Sequence, residues 1–216
     1  MSGPILLPLF PLPRIVHFPR TTLPLHVFEQ RYRQLVADLL EVDEDQRLIG
    51  MVTSEAGSTV IHPTGTAGLL VDVEPLEDGR SNIVLEGAFR FQVVREDTPA
   101  PYRRAWVERL DDDEPALEDC RPLADLHELV PSLARDMPET FPLDVEDCRE
   151  LSQGSSEELV NRLAAELDLT TSHKIRLLSS GIPERAASLL RVLEGFRRNL
   201  DLLAPYRHLA TTGREN

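Results

Sequence analysis

Lys174 is the only lysine among the 23 basic residues, and Ser172, Ser179 and Ser180 lie close to it in the chain. A lysine within reach of a serine hydroxyl can accept its proton and make the oxygen a nucleophile. A phosphate-binding loop uses its lysine differently, in G-x-x-x-x-G-K-[ST], where backbone amides cradle the phosphates. Lys174 instead stands between His173 and Ile175 with no such glycines before it, so that loop is absent from the sequence. Lysines are mostly exposed, which makes Lys174 a solvated helix residue. The six histidines, His17, His26, His62, His127, His173 and His208, are scattered, without an H-x-x-x-H pair. No C-x-x-C occurs either, so neither a metal site nor a cofactor is expected. His26, in an apolar context, reads as a hydrogen-bonded packing residue. The run Asp111–Glu114 could attract a cation, but hard-cation loops space their ligands, so a solvated linker is expected. No G-x-S-x-G elbow and no G-x-G-x-x-G is present, and Gly65-Thr66-Ala67-Gly68 reads as a turn. The catalytic assignment is therefore none, and the binding residues are left unassigned.

The elements that would carry these residues follow from periodicity. Six of the 17 prolines fall within the first 24 residues, interleaved with large apolar side chains. Proline lacks an N–H and fixes φ, so this segment reads as an extended edge strand and turn feeding a helix at about Val27. Phe28, Tyr32, Leu35, Val36, Leu39 and Leu40 share one helical face, with Glu29 and Arg33 spaced to pair on the other. Arg47–Thr53 reads as a buried strand, Val60-Ile61 as a short one, and Ala67–Leu76 as another. Asp78-Gly79 predicts a type I′ hairpin leading to Ser81–Leu85, and Gly87 predicts a bulge. Phe89-Arg90-Phe91-Gln92-Val93 alternates, with apolar residues inward and polar ones outward. Ala105–Leu110 supplies a last strand. Beyond Pro115 the period is helical. Leu123–Met137 forms one or two helices limited by Pro131, and Ser155 with Glu158 forms a capping box for a helix striped by Leu159, Val160, Leu163, Ala164 and Leu167. Ser172 is the expected cap of a short helix ending near Gly181. Pro183 opens the longest helix, striped by Leu189, Leu193, Phe196, Leu200 and Leu203. Phe10, Phe18, Phe28 and Tyr32 are expected in the core, with Trp106 on a strand.

The formal charge is −14 over 216 residues. Residues 1–110 hold 15 acidic and 11 basic side chains, and residues 111–216 hold 22 and 12. An acidic surface repels phosphate backbones and argues against nucleic-acid partners, despite local basic clusters at Arg31/Arg33 and Arg103/Arg104. Cys120 and Cys148 are too few for a disulfide framework, which suits a reducing cytoplasm. The leader lacks a basic region and a cleavage site, and no run of 18 apolar residues exists, so neither a signal peptide nor a membrane span is expected.

A family resemblance joins these pieces. Leu9-Phe10-Pro11-Leu12-Pro13, Phe18-Pro19, Leu23-Pro24-Leu25 and Phe28-Glu29-Gln30-Arg31-Tyr32 resemble the opening of the Lon protease amino-terminal domain. Gly50-Met51-Val52, Gly65-Thr66-Ala67, Asp78-Gly79-Arg80, Gly87-Ala88-Phe89-Arg90-Phe91 and Pro101-Tyr102 follow in the same order. The resemblance spans roughly residues 5–110, and more loosely reaches about residue 203. It implies an α+β chain with a PUA-like β-barrel over 1–114, a C-terminal α-helical bundle over 115–208, and a frayed tail over 209–216. It also implies a stand-alone, non-catalytic module that recognises unfolded or extended polypeptide, with a protease or chaperone as candidate partner. Neither the family's P-loop nor its Ser-Lys motif is present. The competing readings are an RNA-binding PUA-like protein, disfavoured by charge, and a hydrolase with an unrecognised site, which no motif anchors.

Overall fold

The computed structural model describes residues 3–55, 57–97 and 101–203. Among these residues six strands form one mixed sheet: β1 (Ile5–Pro13), β2 (Thr22–Val27), β3 (Leu48–Ser54), β4 (Ile61–Pro75), β5 (Ser81–Asp97) and β6 (Arg104–Leu110). The described residues also form six α-helices: α1 (Gln30–Leu40), α2 (Arg121–Asp136), α3 (Val145–Gln153), α4 (Ser156–Glu166), α5 (Thr171–Leu178) and α6 (Ile182–Leu203). The strand order is β2-β5-β4-β3-β1-β6, and β6 also pairs with β5. Only β1 and β3 run parallel. The α+β class expected from the sequence is therefore correct. The chain divides into two compact units. One comprises the described residues up to Asp113 together with Asn161–Gly181, and the other comprises Glu114–Val160 with the residues from Ile182 onward. The expected tail over 209–216 lies outside the described residues.

The proline-rich start is not an edge strand. Ile5–Pro8 pairs with β6, and Leu9–Pro13 pairs with β3, so β1 sits between two neighbours. The prolines survive there because the strand changes partner midway. The Leu9 amide donates to the Arg103 carbonyl at 2.7 Å. Strand alternation then turns odd-numbered amides toward β6 and even-numbered ones toward β3. Pro8 consequently faces the β3 side before β3 pairs, and Pro11 and Pro13 face the β6 side after β6 has left. In its middle, β1 buries side chains on both faces. Leu7 and Leu9 join Val52, Ala67, Phe91, Ala105 and Val107 in one cluster, while Phe10 joins Val27, Leu35, Ile49, Ile83 and Leu85 in another. That is why the segment reads as a nearly continuous apolar run.

Val27 ends β2 rather than starting a helix, and α1 begins at Gln30. Tyr32, Leu35, Val36 and Leu39 are buried on the predicted face, and Tyr32 stacks on Phe10 with ring centroids 3.9 Å apart. Phe28 precedes the helix and is 61% exposed, so it is not core. Glu29 pairs with Arg31 at 2.7 Å instead of with Arg33. The guanidinium of Arg33 lies over Gly79, where a Cβ would collide with it. The hairpin at Asp78-Gly79 exists, but only Gly79 has positive φ, at 78°. Its amide donates to the Leu76 carbonyl at 2.9 Å, so the connection is a type I turn closed by a left-handed glycine. Hydrogen bonds from Arg80 pull the Asp78 carboxyl down to about 2.

Gly65 and Gly68 lie inside β4 and form no turn; a Cβ on Gly65 would meet the Met51 carbonyl and the Phe91 ring. Gly87 does mark a bulge, since Ala67 pairs with Phe89 while Gly68 pairs with Gly87. The bulge receives the loop between β1 and β2. Arg20 donates its amide to the Gly87 carbonyl at 2.8 Å, and Gly87 donates to Thr21 at 2.9 Å. His17 is buried in that loop, 5% exposed, with Nε2 3.0 Å from the Thr21 carbonyl and Nδ1 without a partner. Burial lowers its pKa below the ordinary 6.5, and the Thr21 carbonyl opposes the shift only in part. The folded state therefore binds fewer protons than the unfolded chain below about pH 6.5, and stability falls as pH drops through that value. The urea midpoint of the protein is expected to decline between pH 7.5 and 5.5. In His17→Gln, whose amide can still donate to Thr21, the decline should shrink. Equal pH profiles for the two proteins would refute the assignment.

In the second unit, α2 buries Leu123, Leu126, Val130, Leu133 and Ala134 and packs against α3 and α6. It is a single helix that runs through Pro131, not two pieces divided by it. The sequence reading overlooked α3, which opens on a capping box: the Asp147 amide donates to Asp144 at 2.8 Å, and the Asp144 amide donates to Asp147 at 3.3 Å. On α6, Leu189 and Leu193 are buried, whereas Phe196 is 41% exposed.

Candidate functional site

α5 is fastened to the face of the sheet at both ends. At its C-terminal end, Arg90 on β5 donates through Nη1 to the carbonyls of Leu178 at 2.7 Å and Ser180 at 2.8 Å. A guanidinium suits the partial negative charge at a helix C-terminus. Through Nη2, Arg90 pairs with Asp112 at 2.7 Å, the two side chains being 4% and 7% exposed. Arg90 thus points inward, against the expected alternation, and Asp112 is a buried partner rather than part of a solvated linker. Ser179 adds a hydroxyl contact to Thr64 on β4 at 3.1 Å. At the other end, Thr171 donates its hydroxyl to the Arg14 carbonyl at 3.3 Å. The N-cap is Thr170, which accepts from the His173 amide, so the expected capping role of Ser172 is incorrect.

This fastening builds one wall of a cleft of about 520 Å³. Thr171, Ser172 and Ile175 come from α5; Arg14 follows β1; Thr53, Ser54, Glu55, Val60, Ile61, His62 and Pro63 come from β3, β4 and the loop between them. Three contacts set its rim. Thr53 donates its hydroxyl to the Ile15 carbonyl at 2.7 Å. Glu55 donates its amide to Val60 at 3.3 Å, closing the loop around Gly57 with φ at 74°. Arg103 reaches the Thr59 carbonyl at 2.7 Å while pairing with Glu96. The His62 Nδ1 accepts the Thr64 amide at 3.2 Å, so the neutral ring carries its proton on Nε2 and is a donor there. The volume and the mix of apolar walls with a few polar groups match a ligand-binding cleft.

The residues singled out by type make structural contacts. The Lys174 Nζ donates to the Ala165 carbonyl at 2.7 Å, capping the C-terminus of α4. It is half-buried rather than solvated, and burial lowers its pKa. Ser179 and Ser180 donate their hydroxyls to the carbonyls of Ile175 and Arg176. His26 is exposed, with Nδ1 2.8 Å from Asn82 Oδ1, so it is hydrogen-bonded but not packed in a core. His208 lies outside the described residues. Among the described residues no group of three His, Cys, Asp or Glu side chains is placed to hold a metal. Cys120 and Cys148 are buried and not joined in a disulfide, and burial pushes the Cys148 thiol up to about 11. In the basic clusters, Arg31, Arg103 and Arg104 each pair with a carboxylate, which neutralises their local charge. Phe10, Phe18 and Tyr32 are buried as expected, and Trp106 is half-buried beneath the Arg95 guanidinium. No helix among the described residues is long and apolar enough to cross a membrane.

Sequence-based reasoning missed the cleft itself. Its lining residues are separated in the chain and share no motif; the one local signal was His62-Pro63 after a glycine-containing loop.

The fold and the chain have known counterparts. The N-terminal domain of the Mycobacterium avium complex Lon protease superposes with a TM-score of 0.70, covering 88% of this chain and 98% of that one, at 15% identity. The Lon N-terminal domain protein from Xanthomonas campestris gives a TM-score of 0.63 over 87% of this chain and 98% of that one, at 26% identity. The Lon protease of Anaeromyxobacter dehalogenans (strain 2CP-C) is 27% identical over 208 residues, which are 93% of this chain but 24% of that protein. Lon protease 2 of Sorangium cellulosum (strain So ce56) is 34% identical over 110 residues, which are 48% of this chain and 13% of that protein. The chain thus spans about a quarter of the first of these relatives. A family model described as the ATP-dependent protease La (LON) substrate-binding domain matches residues 6–194. With most of its length matched, the chain belongs to the LON substrate-binding domain family.

Proposed function

We propose that this chain is a non-catalytic module that binds unfolded or extended polypeptide through the cleft beside α5, in the service of proteolysis. The family match over residues 6–194 carries this reading. The ATP-driven and peptide-cleaving chemistry of Lon proteases belongs, on this reading, to segments unlike these 216 residues, whose sequence holds neither a P-loop nor a recognisable Ser-Lys motif. The same reading takes the ring of pairings β5-β4-β3-β1-β6-β5 as a small PUA-like barrel and α2, α3 and α6 as a helical bundle. It takes the chain to work in the cytoplasm without a nucleic-acid partner, its acidic surface repelling phosphates.

The test is an anisotropy titration with fluorescein-labelled casein, which is unfolded in solution. Saturable binding with a Kd on the order of 10–100 µM is expected, as suits a weak recognition step. Val60 lines the cleft and is 60% exposed, so Val60→Asp should weaken binding about fivefold or more while leaving the urea midpoint unchanged. No binding at several hundred micromolar would remove the proposal.

A further inference from the structure

Within the sheet-bearing unit most arginines are neutralised. Arg31, Arg47, Arg80, Arg90, Arg103, Arg104 and Arg109 each have a carboxylate within ion-pair distance. Arg14 is one of the arginines of this unit without an ion pair among the described residues, and it is exposed and lines the cleft. The chain carries 37 acidic side chains, yet none of the described ones is within ion-pair distance of Arg14 at the cavity wall. Its position is fixed independently of any ion pair. The Arg14 backbone has φ of 64°, and its carbonyl accepts from Thr171. Further donors among the lining residues are the Nε2–H of His62, set by the Thr64 amide on Nδ1, and the hydroxyls of Ser54 and Ser172. Val60, Ile61, Pro63 and Ile175 supply apolar lining, and Glu55 is the only carboxylate among the described lining residues.

A guanidinium with neutral donors against an apolar wall is complementary to a carboxylate carried beside apolar side chains. We propose that the cleft selects polypeptide segments by a carboxylate, Arg14 forming the ion pair while the apolar wall receives the neighbouring side chain. This rests on the polypeptide-binding reading and narrows it. A chain end and an Asp or Glu within the chain both supply such a carboxylate, and these sources share one chemistry at Arg14.

Three fluorescein-labelled ten-residue peptides of repeated Val-Ser-Leu separate the possibilities. One ends in a free acid, one is amidated and contains a central Glu, and one is amidated with no acidic group. On the wild-type protein, at least one acid-bearing peptide should bind about tenfold tighter than the neutral peptide, with the preference weakening as salt is added. Which of the two binds tighter identifies the source. Asn tolerates a positive φ, so Arg14→Asn removes the charge with little backbone cost. This variant should erase the preference, so that the three peptides bind with similar affinity, and Arg14→Lys should restore part of it. Equal binding of all three peptides overturns the carboxylate proposal and leaves polypeptide binding standing. Absence of binding by all three, with casein also unbound, overturns both.

Discussion

Asp112→Ala is expected to lower the unfolding free energy by about 3–5 kcal/mol, because it strands a guanidinium in the interior. Arg90 is 4% exposed and Asp112 7%, so water cannot readily replace the lost partner. The two carbonyls that Arg90 also binds satisfy N–H groups but carry no full charge. The loss should also be local. Arg90 ties the end of α5 to β5, so hydrogen exchange of the amides of residues 175–178 should accelerate more than that of β3 or β5, and casein binding should fall with it. Replacing the pair together, as Arg90→Met with Asp112→Leu, removes both charges and should recover most of the stability in urea titrations, since a buried pair contributes little beyond its hydrophobic replacement. Binding would not return with it, because methionine cannot hold the Leu178 and Ser180 carbonyls. If Asp112→Ala costs less than about 1 kcal/mol, the clamp is not what holds α5.

The same pair marks a limit of sequence-based inference. Alternation in Phe89–Val93 correctly identified a strand, and its polar members were read as outward because period-2 patterns carry no information on partners. Arg90 finds its carboxylate 22 residues later, within a run of four acids, and its carbonyls 88 and 90 residues later. Local repulsion predicted that the acidic run would be solvated; one tertiary partner sufficed to bury Asp112. Where the chemistry is local, the sequence was informative. The apolar faces of α1 and α4, the Ser155 contact to the Glu158 amide at 3.1 Å, and the bulge at Gly87 all follow from spacing or backbone freedom. The prolines of β1 illustrate an intermediate case. An extended strand was legible from them, but its place inside the sheet was not, because the exchange of partners at Leu9 that leaves each half of the strand with one free side depends on pairing. The cleft was hidden for the same reason as Arg90, since it is assembled by Arg14, the β3–β4 loop and α5, which are brought together only by tertiary contacts.

Gly87→Ala is the second large effect expected, a loss of about 2–3 kcal/mol or more. A methyl group at this position would meet the Phe18 carbonyl and the backbone of Pro19, which are main-chain atoms that no rotamer change can move aside. The neighbouring contacts prevent a simple retreat. The loop is held by the Arg20 amide on the Gly87 carbonyl, by the Gly87 amide on Thr21, by the Thr21 hydroxyl on Phe18 at 2.7 Å, and by the Thr66 hydroxyl on the His17 carbonyl at 2.6 Å. Withdrawal of the loop to admit the methyl would strain or break these bonds and expose Phe18, which is fully buried. The effect should therefore appear as a lower urea midpoint and, in the folded protein, as faster exchange at the amides of Arg20 and residue 87. A contrast comes from Gly195 on α6, where a Cβ would meet nothing within 4 Å. Gly195→Ala should stabilise by up to about 1 kcal/mol, because alanine has the higher helix propensity. If both substitutions shift the midpoint in the same direction, close backbone approach is not the reason glycine stands at position 87.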